Sequence, residues 1–501
     1  MSDTPMIRCG SVERTHPQLQ ERAARIASGL AGLGVTAGDN IAVVLANSVE
    51  FLEISAGISL SGANPVPVNW HWKSAELAHL LTDSAAKAAF VHSDFAAVVD
   101  DATVGSIPLI VVSSTGESVP GSHREYESWL AGHEPEGSAA PAASGLGLIY
   151  TSGTTGKPKG IVREAVSAES MVRMAMGAMA RMGLRPGGRT LIPAPLYHTA
   201  PNTMGVFAVR LGMDTTILTR FDPEEFLAAI ERHRVEQVQM VPTMFTRLLR
   251  LPEQVRRKYD LSSLTSIVHS AAPCPQHVKQ QMIDWLGPIV TEYYGGSETG
   301  PIVWCSAEEW LRHLGTVGAP VDGAAVRIVG PDNREAPVGE VGVVYLKPAD
   351  YWPGFTYRGD DTKRRDIELD GFVTVGDMGR VDAEGYLYLT DRMSDMVISG
   401  GVNIYPAEIE GVLHELPEVA DCAVFGIPDE EYGESLAAHI ELAEGAELTE
   451  AEVRDFVRAR LAGFKVPRVV VFDDELPREE SGKLFKRRLR DPYWRDAATK
   501  I

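Results

Sequence analysis

The sequence predicts an α/β protein in which parallel or mixed sheets are covered by helices on both faces. In the first three hundred residues, short apolar runs indicate buried strands, and helical patterns separate several of them. Continuous apolar strands that alternate with helices are typical of sheets buried on both faces. The predicted strands are Ile41–Ala46, Ala88–Val91, Pro108–Val112, Gly147–Tyr150, Thr215–Leu218, Glu236–Val241 and Ser266–His269. The predicted helices are Glu21–Leu33, Phe51–Ser61, Glu76–Leu81, Pro223–His233 and Pro275–Leu286.

The composition changes after about Gly300, where glycine, proline and charged residues become dense. Short strands at Ala325–Val329 and Gly342–Leu346, with turn signals after them, predict a β-rich subdomain. A second α/β unit then begins near Asp395. Its predicted elements are a helix at Pro406–Leu416, strands at Val419–Phe425 and Ser435–Leu442, and a helix at Glu450–Leu461. We therefore expect a large N-terminal domain, residues 1–393, and a small C-terminal α+β domain, residues 394–501.

Charge and cysteine content exclude several classes of function. The formal net charge of −21 disfavours nucleic-acid binding and stable membrane association, because phosphate backbones and anionic lipids would be repelled. No apolar run reaches the roughly 18 residues of a membrane span. No signal peptide is visible, so the cytoplasm is the expected location. The cysteines, Cys9, Cys274, Cys305 and Cys422, are far apart and predict neither a zinc site nor a disulfide framework.

The sharpest local feature is the segment Tyr150–Gly160, YTSGTTGKPKG, which follows a predicted strand. Its glycines let successive backbone N–H groups point into one concavity, and its hydroxyls and lysines add donors and charge for phosphate. A Ser/Thr/Gly-rich surface loop is the alternative interpretation. A Walker P-loop is disfavoured, because Lys157 is followed by Pro158 rather than by Ser or Thr. The candidate phosphate-binding residues are Thr151, Ser152, Gly153, Thr154, Thr155, Gly156 and Lys159.

This segment resembles the signature of the adenylate-forming superfamily, [ST]-S-G-[ST]-T-G-x-P-K-G, which Thr151–Gly160 matches throughout. The superfamily includes acyl-CoA synthetases, adenylation domains of peptide synthetases and beetle luciferases. Six more regions resemble superfamily motifs in the same order and cover nearly the whole chain. The resemblance implies that the protein uses ATP, Mg²⁺ and coenzyme A.

Two of these regions carry residues implied to lie near the acid and the adenine. His198, in the segment Ala194–Pro201, matches the position next to the substrate carboxylate, although alone it would be interpreted as a loop histidine. Ala271, Ala272 and Pro273 resemble the turn whose backbone lines the adenine and acyl pockets. Small residues allow the main chain to approach a planar ligand, and a simple strand-to-helix turn is compatible with this role.

Two further regions are implied to hold the nucleotide. In the segment Tyr293–Thr299, Tyr294 would stack on adenine beside Gly295 and Gly296. Ser297 would lie near the α-phosphate, and Glu298 would hold Mg²⁺. The resemblance also implies that Asp377 accepts hydrogen bonds from both ribose hydroxyls and that Arg392 reaches the ribose.

The last two regions imply a moving C-terminal domain. Gly400 and Gly401 match the loop that lines the pantetheine tunnel, and Lys483 matches the lysine that reaches the substrate carboxylate and the α-phosphate. The domain is expected to rotate between the two half-reactions, exchanging the lysine for the glycine loop. The pivot position falls on Ser394, where the superfamily has lysine or aspartate, so a chain specialised for one half-reaction is an alternative.

The predicted activity is ATP-dependent ligation of a carboxylic acid to coenzyme A through an acyl-adenylate, with a homodimer as a compatible assembly. Transfer to a separate carrier protein, a luciferase-like oxygenase and a non-catalytic sensor are alternatives; retention of Glu298 and Lys483 argues against a sensor. The expected acid is hydrophobic, because the candidate pocket residues are apolar or small. They are Met204, Phe207, Met240, Val241, Thr243, Ala271, Gly296 and Val303.

Overall fold

The N-terminal part of the chain forms a five-stranded parallel sheet flanked by helices. The computed structural model describes residues 4–103, 106–113, 123–135, 148–151, 159–478 and 484–495. The elements of this part are β1 (Met6–Cys9), β2 (Val12–Thr15), α1 (His16–Gly32), β3 (Asn40–Val44), α2 (Val49–Leu60), β4 (Asn64–Pro67), α3 (Ser74–Ser84), β5 (Ala88–His92), α4 (Ala96–Thr103), β6 (Leu109–Val112), β7 (Arg124–Glu125) and α5 (Tyr126–Ala131). The strand order is β4-β3-β5-β6-β7, and neighbouring strands are parallel.

The middle part forms a nine-stranded sheet with a parallel centre. Its elements are β8 (Ile149–Thr151), β9 (Lys159–Arg163), α6 (Ala168–Met182), β10 (Arg189–Ile192), α7 (Thr199–Arg210), β11 (Asp214–Ile217), α8 (Pro223–His233), β12 (Gln237–Met240), α9 (Pro242–Leu249), α10 (Glu253–Arg256), β13 (Ser266–His269), α11 (Gln276–Leu286), β14 (Val290–Tyr294), β15 (Val303–Cys305), α12 (Ala307–Arg312) and β16 (Ala319–Pro320). The strand order is β16-β15-β14-β13-β12-β10-β11-β1-β2. The segment from β1 to β2 therefore belongs to this sheet and not to the sheet that follows it in sequence.

The predicted β-rich subdomain is present. Its elements are β17 (Ala325–Val329), β18 (Gly342–Lys347), β19 (Phe355–Tyr357), α13 (Asp361–Asp366), β20 (Glu368–Leu369), β21 (Phe372–Val381) and β22 (Leu387–Arg392). All but β19 of these strands form one antiparallel sheet with β21 at its centre. Strand β19 instead pairs with β9 in a three-stranded sheet, β19-β9-β8.

The C-terminal part has its own sheet and core. Its elements are β23 (Val397–Ser399), β24 (Val402–Ile404), α14 (Pro406–Leu413), β25 (Val419–Asp429), β26 (Gly433–Leu442), α15 (Glu450–Arg458), β27 (Val469–Asp473) and α16 (Lys486–Trp494). The strands run in the order β24-β23-β26-β25, and β27 pairs in parallel with β26. Helices α14 and α15 cover one face of this sheet, where Ile409 and Val453 are fully buried.

Local sequence explains these elements and confirms the predicted α/β class. Strand β3 is buried along its whole length, as its continuous apolar pattern predicts. Helix α1 begins five residues before its predicted start at Glu21, because Thr15 and Gln18 form a capping box at His16. No helix among the described residues combines the length and the apolar character that a bilayer crossing requires.

Candidate active site

Several predicted site residues lie in segments that follow strands at the same edge of the nine-stranded sheet. Strands β10, β12, β13 and β14 are neighbours and run parallel, so their carboxyl ends share one edge. The segment after β10 carries His198, the turn after β13 carries Ala271–Pro273, and the turn after β14 carries Gly295–Glu298. Open α/β sheets bind ligands outside the carboxyl ends of their strands. The topology therefore brings these motifs to the edge where a ligand is expected.

Tyr294, Asp377 and Arg392 form one contiguous cluster. The Tyr294 hydroxyl donates to Asp377 Oδ2 at 2.8 Å, and Arg392 Nε lies 3.4 Å from Asp377 Oδ1. Asp377 and Arg392 face one another in the register of β21 and β22. Burial raises the pKa of the Asp377 carboxyl above its ordinary value, while the Arg392 charge opposes that shift. The cluster offers a carboxylate with two acceptor oxygens, which suits a vicinal diol.

Ser297 and Glu298 lie at the junction of three segments. Ser297 Oγ is 3.2 Å from Thr199 Oγ1. Thr199 is the first residue of α7 and directly follows His198, the N-cap residue of that helix. Glu298 Oε1 accepts a hydrogen bond of 3.0 Å from the hydroxyl of Tyr357 in β19. The predicted carboxylate-binding, α-phosphate-binding and metal-binding residues are thereby placed next to one another.

A buried arginine lies beneath this turn. Arg163 Nη2 donates to the Ser297 carbonyl oxygen, and Arg163 Nε and Nη1 are buried without a hydrogen-bond partner among the described residues. Burial lowers the pKa of the Arg163 guanidinium to about 10, and the nearby Glu298 carboxylate opposes this shift. The arginine therefore adds positive charge next to the predicted metal residue.

The backbone of the two turns requires small residues. A Cβ atom on Gly295 would come within 1.8 Å of the Gly300 carbonyl oxygen, so only glycine fits there. On Gly296 it would lie 2.9 Å from a carboxylate oxygen of Glu298. Ala271 has a φ of +75°, a left-handed conformation that a non-glycine residue adopts at a cost and that recurs at ligand-binding sites.

The predicted phosphate loop connects two antiparallel strands. Thr151 of β8 pairs with Lys159 of β9, so the two strands that flank the loop are antiparallel neighbours. Helix α6 starts only at Ala168. The predicted residues Ser152, Gly153, Thr154, Thr155 and Gly156, and the side chain of Thr151, lie outside the described residues. Lys159 is described and is half-buried. Burial, reinforced by the neighbouring Lys363 ammonium, lowers the pKa of Lys159 to about 8.

The side chains present fit a Mg²⁺ ion that is bound together with phosphate. The described residues contain no group of three or more His, Cys, Asp or Glu side chains that could hold a metal by themselves. Mg²⁺ in nucleotide sites typically takes one or two carboxylates and completes its shell with phosphate oxygens and water. Glu298, half-buried and held by Tyr357, supplies such a carboxylate.

The C-terminal motifs are placed apart from this cluster. Gly400 and Gly401, with φ of +57° and +81°, form the tight turn between β23 and β24. No hydrogen bond or ion pair among the described residues joins this turn to Ser297, Glu298 or Asp377. Its flanking residues Ile398 and Val402 are 48% and 43% exposed. Lys483 lies outside the described residues.

The predicted acyl-pocket residues include members of an apolar cluster at the sheet edge. Met204 is buried on α7, and Phe207 packs against the same cluster, which also includes Met182 of α6. Tyr293 and Trp304 close the other side, with ring centroids 5.2 Å apart. Met240, Val241 and Val303 are buried in the adjoining cores. This cluster is thus apolar and rich in methionine.

Sequence reasoning missed Arg163, Tyr357, Lys363 and Thr199, which the fold brings into the site. An arginine directly after the apolar run Gly160–Val162 is an irregularity that could have signalled Arg163. Tyr357 and Lys363 lie in segments without a recognisable local pattern. Their participation depends on the pairing of β19 with β9, almost two hundred residues earlier in the chain.

Comparison with known proteins agrees with this geometry. The family of AMP-binding enzymes matches residues 1–354, and the AMP-binding enzyme C-terminal domain matches residues 408–483. A feruloyl-CoA synthase from an Amycolatopsis species is 33% identical over 486 residues, which cover 97% of this chain and 95% of that protein. The fatty acid–[acyl-carrier-protein] ligase ScoC from Streptomyces coeruleorubidus is 30% identical over 514 residues, covering 99% of this chain and 95% of that protein.

Solved structures give the same result. The amide bond synthetase McbA from Marinactinospora thermotolerans matches with a TM-score of 0.83 at 26% identity, covering 98% of this chain and 97% of that one. The fold and the superfamily resemblance predicted from the sequence are therefore confirmed. This chain belongs to the family of AMP-binding enzymes.

Proposed function

We propose that this protein is an ATP-dependent acyl-CoA ligase that activates a hydrophobic carboxylic acid through an acyl-adenylate. The observation that carries the proposal is the convergence of Tyr294, Asp377 and Arg392 with Ser297 and Glu298 at one sheet edge. This set provides a ribose-binding carboxylate beside a hydroxyl and a metal-binding carboxylate. The relative named as a feruloyl-CoA synthase, at 33% identity, supports a product that is a coenzyme A thioester.

In the first half-reaction, an oxygen of the acid's carboxylate attacks the α-phosphorus of ATP. The bond from the α-phosphorus to the bridging oxygen breaks, and pyrophosphate leaves with its electron pair. Both reactants are anions, so catalysis consists mainly of positioning and charge neutralisation. Ser297 and Lys483 would hold the α-phosphate, Lys159 and the loop before it the outer phosphates, and His198 the carboxylate. Mg²⁺ at Glu298 would neutralise phosphate charge.

In the second half-reaction, the thiolate of coenzyme A attacks the adenylate carbonyl carbon, and AMP leaves as the thioester forms. Residues 394–501 would rotate about Ser394 relative to residues 1–393, so that the turn at Gly400 and Gly401 replaces Lys483. The exposed position of that turn supports this role, because its backbone is accessible to a thin ligand such as pantetheine. Exclusion of water protects the adenylate from hydrolysis.

The proposed substrate class follows from the wall of the acyl pocket. Met204 and Phe207 lie on α7, which begins directly after His198, and pack with Met182 and Met179 of α6 in a flexible apolar cluster that can adapt to acids of different shape. We therefore expect fatty, aryl or polycyclic acids to be preferred over short polar ones. The names of the two relatives, one acting on an aryl acid and one on a fatty acid, lie within this class.

A panel of acids tests the proposal. Purified protein is incubated with ATP, Mg²⁺ and each acid, and pyrophosphate release and thioester formation are measured with and without coenzyme A. We expect thioester from at least one hydrophobic acid, and loss of adenylate formation in Lys483→Ala. Absence of both adenylate and thioester for every acid would contradict the proposal. Light scattering and cell fractionation in the same study test the expected homodimer and the proposed cytoplasmic location.

A second candidate function differs from the first in the acceptor of the acyl group. ScoC is named as a ligase of an acyl-carrier protein, and Ser394 departs from the usual pivot residue of the superfamily. If the panel gives adenylate but no coenzyme A thioester, transfer to a separate carrier protein or catalysis of adenylation alone replaces the first proposal. Mass measurement of a pantetheinylated carrier protein, added to the same reaction, decides between these two.

A further inference from the structure

The ammonium groups of two lysines from distant segments make cation–π contacts with the ring of one tyrosine, Tyr357. Lys159 begins β9, directly after the phosphate loop, and Lys363 is in helix α13. The Nζ atoms are 6.0 Å and 5.2 Å, respectively, from the centroid of the Tyr357 ring. Both side chains are partly buried. Cation–π attraction places each ammonium group on this ring, but it does not remove their mutual repulsion.

Neither lysine forms an ion pair with a described acidic residue, although the charge of Asp360 acts on Lys159. No Asp or Glu among the described residues lies within ion-pairing distance of either ammonium group. The two acidic residues just before Lys363 have other partners. Asp360 caps α13, where its Oδ1 accepts from the Lys363 backbone N–H at 3.0 Å, and Asp361 Oδ1 accepts from the Thr356 hydroxyl at 2.6 Å. Two adjacent cations without an ion-pair partner among the described residues, in a chain of net charge −21, indicate a place for an anion.

The same tyrosine connects the two lysines to the metal residue. Its hydroxyl donates to Glu298 Oε1 at 3.0 Å, while the lysines contact its ring. Under the proposed function, Glu298 takes the Mg²⁺ that accompanies the outer phosphates. Tyr357 therefore contacts both the lysine pair, through its ring, and Glu298, through its hydroxyl.

We propose that Lys363 acts with Lys159 as a ligand of the β- and γ-phosphates of ATP and of the pyrophosphate that leaves. This inference rests on the proposed function, since it assigns the far end of the same nucleotide. Two ammonium groups at one end of the site would neutralise the charge that builds up on pyrophosphate as its bond to the α-phosphorus breaks. Lys363 would reach the phosphates as a flexible point charge.

Titration with pyrophosphate in the presence of Mg²⁺ tests this role without any acid. In Lys363→Gln, we expect the affinity of the full-length protein for magnesium pyrophosphate to fall about tenfold, as for loss of one charged hydrogen bond. The affinity for AMP should change less than about twofold, because AMP lacks the outer phosphates. Lys363→Arg should recover most of the pyrophosphate affinity.

The matched control is Arg365→Gln, which removes the same charge from the exposed side of the same short helix. Pyrophosphate affinity that is unchanged in Lys363→Gln, or that falls equally in Arg365→Gln, would overturn the proposal. Failure of the proposed function has a different signature, namely the absence of acyl-adenylate and thioester from the wild-type protein across the whole acid panel.

Discussion

At the scale of single residues, substitution of the Asp377 carboxylate gives the most direct test of where the nucleotide binds. Replacement by asparagine keeps its shape but removes the charge that accepts from Tyr294 and pairs with Arg392. We expect AMP and ATP affinity to fall about tenfold to a hundredfold, because a hydrogen bond to a charged group contributes about 1.5–3 kcal/mol. Calorimetric titration with AMP measures the change.

Asp370→Asn provides the control for Asp377→Asn. Asp370 is an exposed carboxylate in the turn before β21, and its conformation, with φ of +51°, suits asparagine equally well. Nucleotide affinity should be retained in this variant. Equal affinity in Asp377→Asn and in the wild-type protein would show that the ribose lies elsewhere.

Lys159 gives pyrophosphate binding a pH dependence of defined sign. Burial and the Lys363 ammonium lower the pKa of Lys159 to about 8, while the Asp360 charge opposes the shift. The ammonium that binds phosphate is present below this pH and is lost above it, so affinity should fall as the pH rises through about 8. Calorimetric titrations with magnesium pyrophosphate from neutral to alkaline pH measure the midpoint.

Two variants separate this effect from titration of other groups. In Lys363→Gln the repulsion is removed, so the midpoint should move to higher pH. In Lys159→Gln the transition near pH 8 should disappear. Neighbouring groups that titrate, such as Tyr357 and pyrophosphate itself, remain in both variants. A transition that persists unchanged in Lys159→Gln would therefore assign it to one of them and not to Lys159.

The sequence predicted the site residues that lie in contiguous motifs and missed those recruited by strand pairing. Tyr294, Ser297 and Glu298 follow one strand, so their proximity is local. Tyr357 reaches Glu298 only because β19 pairs with β9. No single segment contains both halves of that contact, and a pattern read along the chain therefore could not show it.

At the scale of elements, burial decides which strands could be predicted. Strand β13 was predicted with its observed bounds, Ser266–His269, because it is apolar and covered on both faces. Strand β1 was missed. Three of its four residues pair in parallel with β11, where Ile7 faces Thr215, and nothing local indicates a partner two hundred residues away. Tertiary pairing stabilises such a strand more than its own propensity does.

A buried ion pair holds together the elements that carry two of the motifs. Lys279 of α11 donates to Glu292 Oε2 of β14 at 2.6 Å, and both side chains are almost completely buried. Helix α11 follows the Ala271–Pro273 turn, and β14 precedes Tyr294. His269 cannot replace the cation, because burial lowers its pKa well below the ordinary value and keeps it neutral.

Lys279→Met should therefore destabilise the protein by about 3–5 kcal/mol, since it leaves Glu292 as an uncompensated buried carboxylate. The double variant Lys279→Met with Glu292→Gln should recover part of that loss. The midpoint of urea unfolding measures both. Lys258→Met, which breaks an exposed pair with Glu224, is the control and should leave the midpoint nearly unchanged. Equal shifts for Lys279→Met and Lys258→Met would contradict this account.

At the scale of the whole molecule, the C-terminal part folds around a sheet of its own. The sheet that contains β23 to β27 includes no strand from the residues before it. Described hydrogen bonds that connect the parts include Arg250 Nη2 to the Ala420 carbonyl, at 2.5 Å, and the Ala407 N–H to Asp391 Oδ2, at 2.8 Å. Interfaces with few specific contacts allow the parts to move relative to one another.

Substitution of Ser394 tests whether this residue is the pivot of the proposed rotation. Its hydroxyl makes an exposed 3.2 Å hydrogen bond to Asp395, so Ser394→Ala should leave turnover nearly unchanged. Ser394→Pro instead fixes φ near about −65°, which prevents the large dihedral change of a hinge. We expect steady-state turnover to fall at least about tenfold, while at least one half-reaction, measured in a single turnover, keeps its rate.

Turnover in Ser394→Pro equal to that in Ser394→Ala would show that the pivot lies elsewhere, and equal loss of both half-reactions would point to damage of the fold. Because each half-reaction needs only one arrangement of the two parts, slowing of the complete cycle alone is the result that identifies rotation.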